Sequence, residues 1–282
     1  MDDNLVNQQI LLLEKVLNIA RIQVVQLKQR RKLIVRTNAI EALREKTPLL
    51  AVQCYLDLFV ETVNFLIEKI KNKEQNYKFY LGNVRTLLDI YSYVLYLCNQ
   101  GKDKQVIIYA IELLYTLARS YEKEKSISDS YKKGYLLYKP FLDGEDINIP
   151  INIQEFNSSF RNKLKIKYPD LKQRLKPEYI IKSCPKTIEI FPWVVKKLYG
   201  IQIYFSNYVH GNFLTKGYHG NERIWIICES QIISALIAEL VDTEILNSIN
   251  GQALSNWRKD FFAERKTFVQ SWQKERQIKN GK

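Results

Sequence analysis

Apolar residues recur near the helical period along most of this chain. Leu5, Ile10, Leu12, Leu13, Val16, Leu17 and Ile19 form a stripe on one helical face, which predicts one or two long helices over residues 4–46. Thr47-Pro48 reads as an N-cap followed by a first-turn proline, the start of a helix running to about residue 72. Further helices are expected over 76–98, stopping near Gly101, and over 104–121. The charged, Ser-rich stretch 122–130 reads as an exposed connection. Between residues 139 and 150, Pro140, Gly144, Pro150 and the intervening acids show no helical period. A connecting loop over 139–153 is therefore expected to separate an N-terminal helical half, 1–138, from a C-terminal half, 154–282. Helical spacing resumes over 185–210, 221–248 and 255–276, the last basic and carrying Trp257, Phe261, Phe262, Phe268 and Trp272. Only 147–153 and 164–168 alternate in the manner of extended chain. The expected fold class is all-α, a multi-helix bundle of two packed halves forming one composite domain.

Composition agrees with that reading. Of 282 residues, 46% are hydrophobic, enough for a packed core, while 10 glycines and 7 prolines leave few turns for a sheet. Four cysteines lie far apart with no C-x-x-C pair, so reduced, buried thiols are expected rather than a zinc or redox site. The first residues are acidic and polar, unlike a secretory signal, which points to a cytoplasmic location. The most apolar stretch, 224–241, contains Glu229, Gln231 and Glu239 and reads as a buried helix, so no membrane partner is expected.

Charge points to a class of partner. The chain carries 43 basic and 30 acidic side chains, a net charge of +13, and its field attracts polyanions such as RNA, DNA or acidic lipid. The basic side chains concentrate in 21–36, which holds six bases and no acid, in 161–186, with nine bases against two acids, and in 258–282. Arg30, Arg31, Lys32, Lys163, Lys165, Lys167, Arg258 and Lys259 are the candidate nucleic-acid contacts.

Two short segments could carry chemistry. Arg85, Asp89 and Ser92 fall within roughly 60° on a helical wheel, a narrow polar stripe among large hydrophobics. Such a stripe serves either as a site or as a structural i,i+4 ion pair. Gln202, Ser206 and His210 share one face of the predicted 185–210 helix, with Tyr204 beside them and Gly211 placed to end it. At a helix C-terminus the dipole favours the imidazolium, which suits proton transfer or phosphate contact. The plain alternative is a capping or core histidine. The only other histidine, His219, reads as a loop residue. No phosphate-binding glycine loop, dinucleotide fingerprint or metal-ligand spacing is present, so no cofactor and no metal are expected.

Arg85-Thr-Leu-Leu-Asp-Ile-Tyr, followed by Tyr204-x-Ser-x-Tyr-Val-His-Gly, resembles an uncharacterised bacterial helical family akin to the HEPN-like (higher eukaryotes and prokaryotes nucleotide-binding) bundles. The similarity covers roughly residues 50–240, and its specific part is those two blocks. It implies a helical bundle, often dimeric, of the kind found in toxins and antiviral defence, many of whose members cleave RNA without a metal. In such nucleases an arginine precedes the histidine on the same helix, whereas Ile203, Tyr204 and Phe205 occupy that spacing here. A ribonuclease reading therefore needs Arg85, from another helix, in the arginine's place. His210 would then exchange the proton of a ribose 2′-hydroxyl, Asp89 would orient Arg85, and Ser206 or Tyr204 would supply hydrogen bonds. The competing readings are a catalytically silent module that holds nucleic acid or an acidic protein, and a structural or regulatory subunit of a complex.

Overall fold

Leu12, Leu13, Val16, Leu17, Ala20, Val24 and Leu27 are all buried, so the first apolar stripe does face a core. They belong to helix α1, Asp3–Leu33. The computed structural model describes residues 3–73, 77–120, 129–142, 162, 222–246 and 251–279. Among the described residues the elements are α1, α2 (Ala39–Lys71), α3 (Tyr77–Cys98), α4 (Lys102–Ser120), α5 (Asp129–Leu142), α6 (Glu222–Leu240), a π-helical segment (Val241–Leu246) and α7 (Gly251–Lys279), with no strand. The protein is an all-α multi-helix fold.

A short turn at 34–38 reverses the chain between α1 and α2. The two helices pack antiparallel in a single register, set by Arg21 donating to Asn64 at 3.1 Å and Lys71 pairing with Glu14 at 3.1 Å. The start of α2 differs from the sequence expectation. Asn38, not Thr47, is its cap: the Asn38 side chain accepts the Ile40 N–H at 2.8 Å. Thr47 is buried and Pro48 lies inside the helix. An internal proline gives up one backbone hydrogen bond. The helix nevertheless continues, because Leu43 before it packs into the core, as do the buried Ala51 and Val52 after it. By length and composition α2 could cross a membrane; in this fold Leu56, Phe59, Val63, Leu66 and Ile70 on it have no exposed surface and face the bundle.

One core joins both ends of the chain. Val16 of α1, Phe59 of α2, Val84 and Leu88 of α3, Ile233 and Ile237 of α6 and Phe261 of α7 belong to the same buried cluster. α3 packs between α2 and α6, and α1 lies against α2, α6 and α7. The 221–248 helix expected from sequence corresponds to α6 and the π-helical segment, and within the 224–241 stretch expected to be buried, residues 227, 228, 230–239 and 241 are buried. A smaller cluster forms where α4 meets α5, around Val106, Ala110, Leu114, Tyr131, Tyr135 and Tyr138.

Helix α5 was not expected. Its first residues fall in the stretch read as an exposed connection, and residues 139–142, assigned to the connecting loop, form its final turn. Tyr131, Tyr135, Tyr138 and Leu142 lie at i, i+4, i+7 and i+11 and are all buried, so packing against α4 holds the segment helical despite Pro140 near its end. The remaining loop residues 143–153, the alternating stretches 147–153 and 164–168, and the 185–210 helix lie outside the described residues.

Tyr109 packs against both clusters and meets Tyr138 edge-on, with ring centroids 6.0 Å apart. Burial pushes its hydroxyl from the ordinary 10.0 up to about 12. The unfolded chain thus ionises this tyrosine first, and stability is lost as pH rises from the ordinary value through about 12. Tyr109→Phe is expected to soften the fall in melting temperature across that alkaline range, checked by thermal unfolding of both proteins in a pH series.

Candidate functional site

Arg85 and Asp89 come together as their spacing suggests. On α3 the Arg85 Nε donates to Asp89 Oδ2 at 3.4 Å, one helical turn apart. The flanking Val84, Leu87, Leu88 and Ile90 are buried, so the pair forms a narrow polar strip on an otherwise enclosed helix. The strip reaches solvent: the Arg85 and Asp89 side chains are 28% and 51% exposed. Burial raises the Asp89 carboxyl above its ordinary value while Arg85 pulls it down. Solvent screening at a half-exposed carboxylate keeps this ion pair weak. Chemically, the guanidinium is an accessible cation oriented by one long bond, able to meet an anion without giving up a strong partner. Ser92, third in the strip, is instead 2% exposed, and its hydroxyl has no hydrogen-bond partner.

The remaining members of the sequence-derived site, His210, Ser206 and Tyr204, lie outside the described residues, as do Lys163, Lys165 and Lys167. So does the side chain of Arg258. Lys259 is exposed on α7, and Lys266 and Lys274 on the same helix are exposed as well.

The three candidate bases at the end of α1 have separate surroundings. Lys32 is exposed. Arg30 is occupied structurally: its Nη1 donates to the carbonyls of Ile245 at 2.7 Å and Leu246 at 3.1 Å, capping the end of the π-helical segment. Two helical turns earlier, on the same face, Gln23 donates to the Ala238 carbonyl at 2.7 Å, close to where α6 passes into π-helix. These two α1 side chains satisfy carbonyls where the helix changes its hydrogen-bond register. Arg30→Ala is accordingly expected to cost about 1 kcal/mol of stability, since water can replace the guanidinium at these exposed carbonyls, with a smaller effect on binding. Urea unfolding alongside a binding titration checks both halves. Arg31 is partly buried, with Nη1 unpartnered, and its charge acts on Cys54 and Tyr109.

Cys54 is exposed, unlike the buried thiol expected; Cys98 is partly covered and Cys228 is buried. The surroundings of the Cys54 sulfur and the Asp57 carboxylate raise its pKa, which keeps the thiol protonated at neutral pH and disfavours a nucleophilic role. No group of three or more His, Cys, Asp or Glu able to hold a metal occurs among the described residues.

Two features had no sequence signal. Gln9, Gln231 and Ser234 have no exposed surface and form a polar seam between α1 and α6, where Gln231 donates to the Gln9 carbonyl at 3.3 Å. Glutamine and serine ordinarily read as surface residues. The turn between α1 and α2 combines exposed aliphatics, Leu33 and Val35, with exposed Lys28 and Lys32. Comparison with protein-family models, with curated proteins and with solved structures finds no match to this chain.

Proposed function

We propose that this protein is a helical, HEPN-like module that binds nucleic acid through its basic surface. The observation that carries the reading is charge on a helical scaffold: a net charge of +13, with Lys28 and Lys32 exposed on α1 and Lys259, Lys266 and Lys274 exposed on α7. Lysines on helices meet phosphates without ordering a loop, so the entropy cost of binding is confined to side chains. The two blocks that resemble HEPN-like bundles agree with RNA as the polyanion and with a homodimer as the working unit. They also suggest a role in bacterial toxin-type or antiviral defence, in the cytoplasm.

A second reading, metal-independent RNA cleavage, draws on the partial exposure of Arg85. Its guanidinium would face a phosphate while His210 removes the 2′-hydroxyl proton; the 2′-oxygen would then attack the adjacent phosphorus and the 5′-oxygen leave, closing a cyclic phosphate. One experiment separates the two readings. Labelled single-stranded RNA is incubated with the full chain in chelator, and binding and cleavage are followed for wild type, Arg85→Ala and His210→Ala. The binding module leaves RNA intact and keeps its affinity in His210→Ala. Wild-type cleavage that falls at least about a hundredfold in His210→Ala, with binding retained, establishes the nuclease instead. Absence of RNA binding at low salt contradicts both.

A further inference from the structure

We propose that the corner between α1 and α2 docks peripherally on an anionic phospholipid surface. The corner is the most exposed stretch of the α1–α2 hairpin: residues 35–41 are all exposed. It carries aliphatic side chains where solvent is fullest, with Leu33 81% and Val35 84% exposed and Ile40 at 40%. Single exposed apolar residues are ordinary. Three within eight positions at one protruding turn are a patch, and the cations around them decide what covers it. Lys28 and Lys32 lie on the last two turns of α1 and Arg36 lies in the turn itself, all exposed, with Arg36 paired to Glu45 at 3.0 Å.

Each class of partner uses these groups differently. Nucleic acid phosphates would engage the lysines and leave Leu33 and Val35 in water. A protein interface draws its apolar core from residues of this kind but is depleted in lysine. An anionic membrane uses both sets at once, the aliphatics entering the headgroup–acyl boundary and the lysine ammoniums remaining among the lipid phosphates and carboxylates. The site is separate from the Arg85–Asp89 strip and from the α7 lysines but shares Lys28 and Lys32 with the proposed nucleic-acid surface, so the aliphatics Leu33 and Val35 are what distinguish lipid from RNA here.

Co-sedimentation of the full chain with phosphatidylserine–phosphatidylcholine vesicles, against phosphatidylcholine vesicles alone, tests this. The expected result is binding to the anionic vesicles only. Leu33→Ser/Val35→Ser should weaken it about tenfold or more while the melting temperature and RNA affinity stay as in wild type. Lys28→Glu/Lys32→Glu, which leaves the aliphatics untouched, should weaken it at least about fivefold per charge. The proposal is overturned if the wild type does not bind anionic vesicles, or if the serine variant binds them as wild type does. It is also overturned if the serine variant loses RNA affinity while no vesicle binding is seen, which would assign the corner to nucleic acid.

Discussion

Phe59→Ala is expected to destabilise the protein by about 3–5 kcal/mol, a large part of the total stability of an ordinary domain. Phe59 has no exposed surface, and its cluster draws residues from α1, α3, α6 and α7. Truncation there removes apolar burial and leaves a cavity that helices held from several sides close only in part. Phe65, on the same helix and 38% exposed, is the internal comparison, and Phe65→Ala should cost about 1 kcal/mol or less. Its ring also lies beneath the Lys69 ammonium, 5.1 Å from the centroid, a contact weak at an exposed site. Denaturant unfolding followed by circular dichroism measures both. A Phe59→Ala cost close to that of Phe65→Ala would remove α2 from the core and reopen the membrane-spanning alternative that its length and composition allow.

The second large effect is on nucleic acid. Replacing Lys163, Lys165 and Lys167 with alanine is expected to lower RNA affinity at low salt by at least about tenfold and to make the plot of log affinity against log salt shallower by about two units. Three phosphate contacts on a single strand release that many fewer counterions. The tract that carries these lysines holds nine bases against two acids. Unchanged slope and affinity in the triple variant would move the interface to the lysines of α1 and α7.

Much of the fold was legible because α1 through α4 and α6 are long and their buried positions recur at the helical period. Local signals misled where tertiary packing outweighed them. Thr47-Pro48 has the chemistry of a helix start, yet the apolar positions on both sides of it bury together, and a cap at Asn38 served the helix nine residues earlier. α5 was missed because Gly134 and Pro140 are poor helix formers within its span and its buried face is mostly tyrosine, a residue that favours neither helix nor interior strongly. Within the candidate site, Arg85 and Asp89 could be paired from sequence because their contact is one turn long. Arg30 could not be read as a cap, since its acceptors lie more than two hundred residues away at Ile245 and Leu246. Gln9 was illegible for a similar reason: only the packing of α1 on α6 buries it, whereas Gln231 lies on a stretch whose burial the sequence already indicated.

We propose that the positive charge on this helical scaffold serves to bind nucleic acid. Fluorescence anisotropy of a labelled single-stranded RNA titrated with the full chain, repeated over a series of salt concentrations, tests it most directly. Saturable binding is expected at low salt, with log affinity falling linearly as log salt rises. Absence of binding even at the lowest salt would contradict it and leave the charge to serve solubility or an acidic partner.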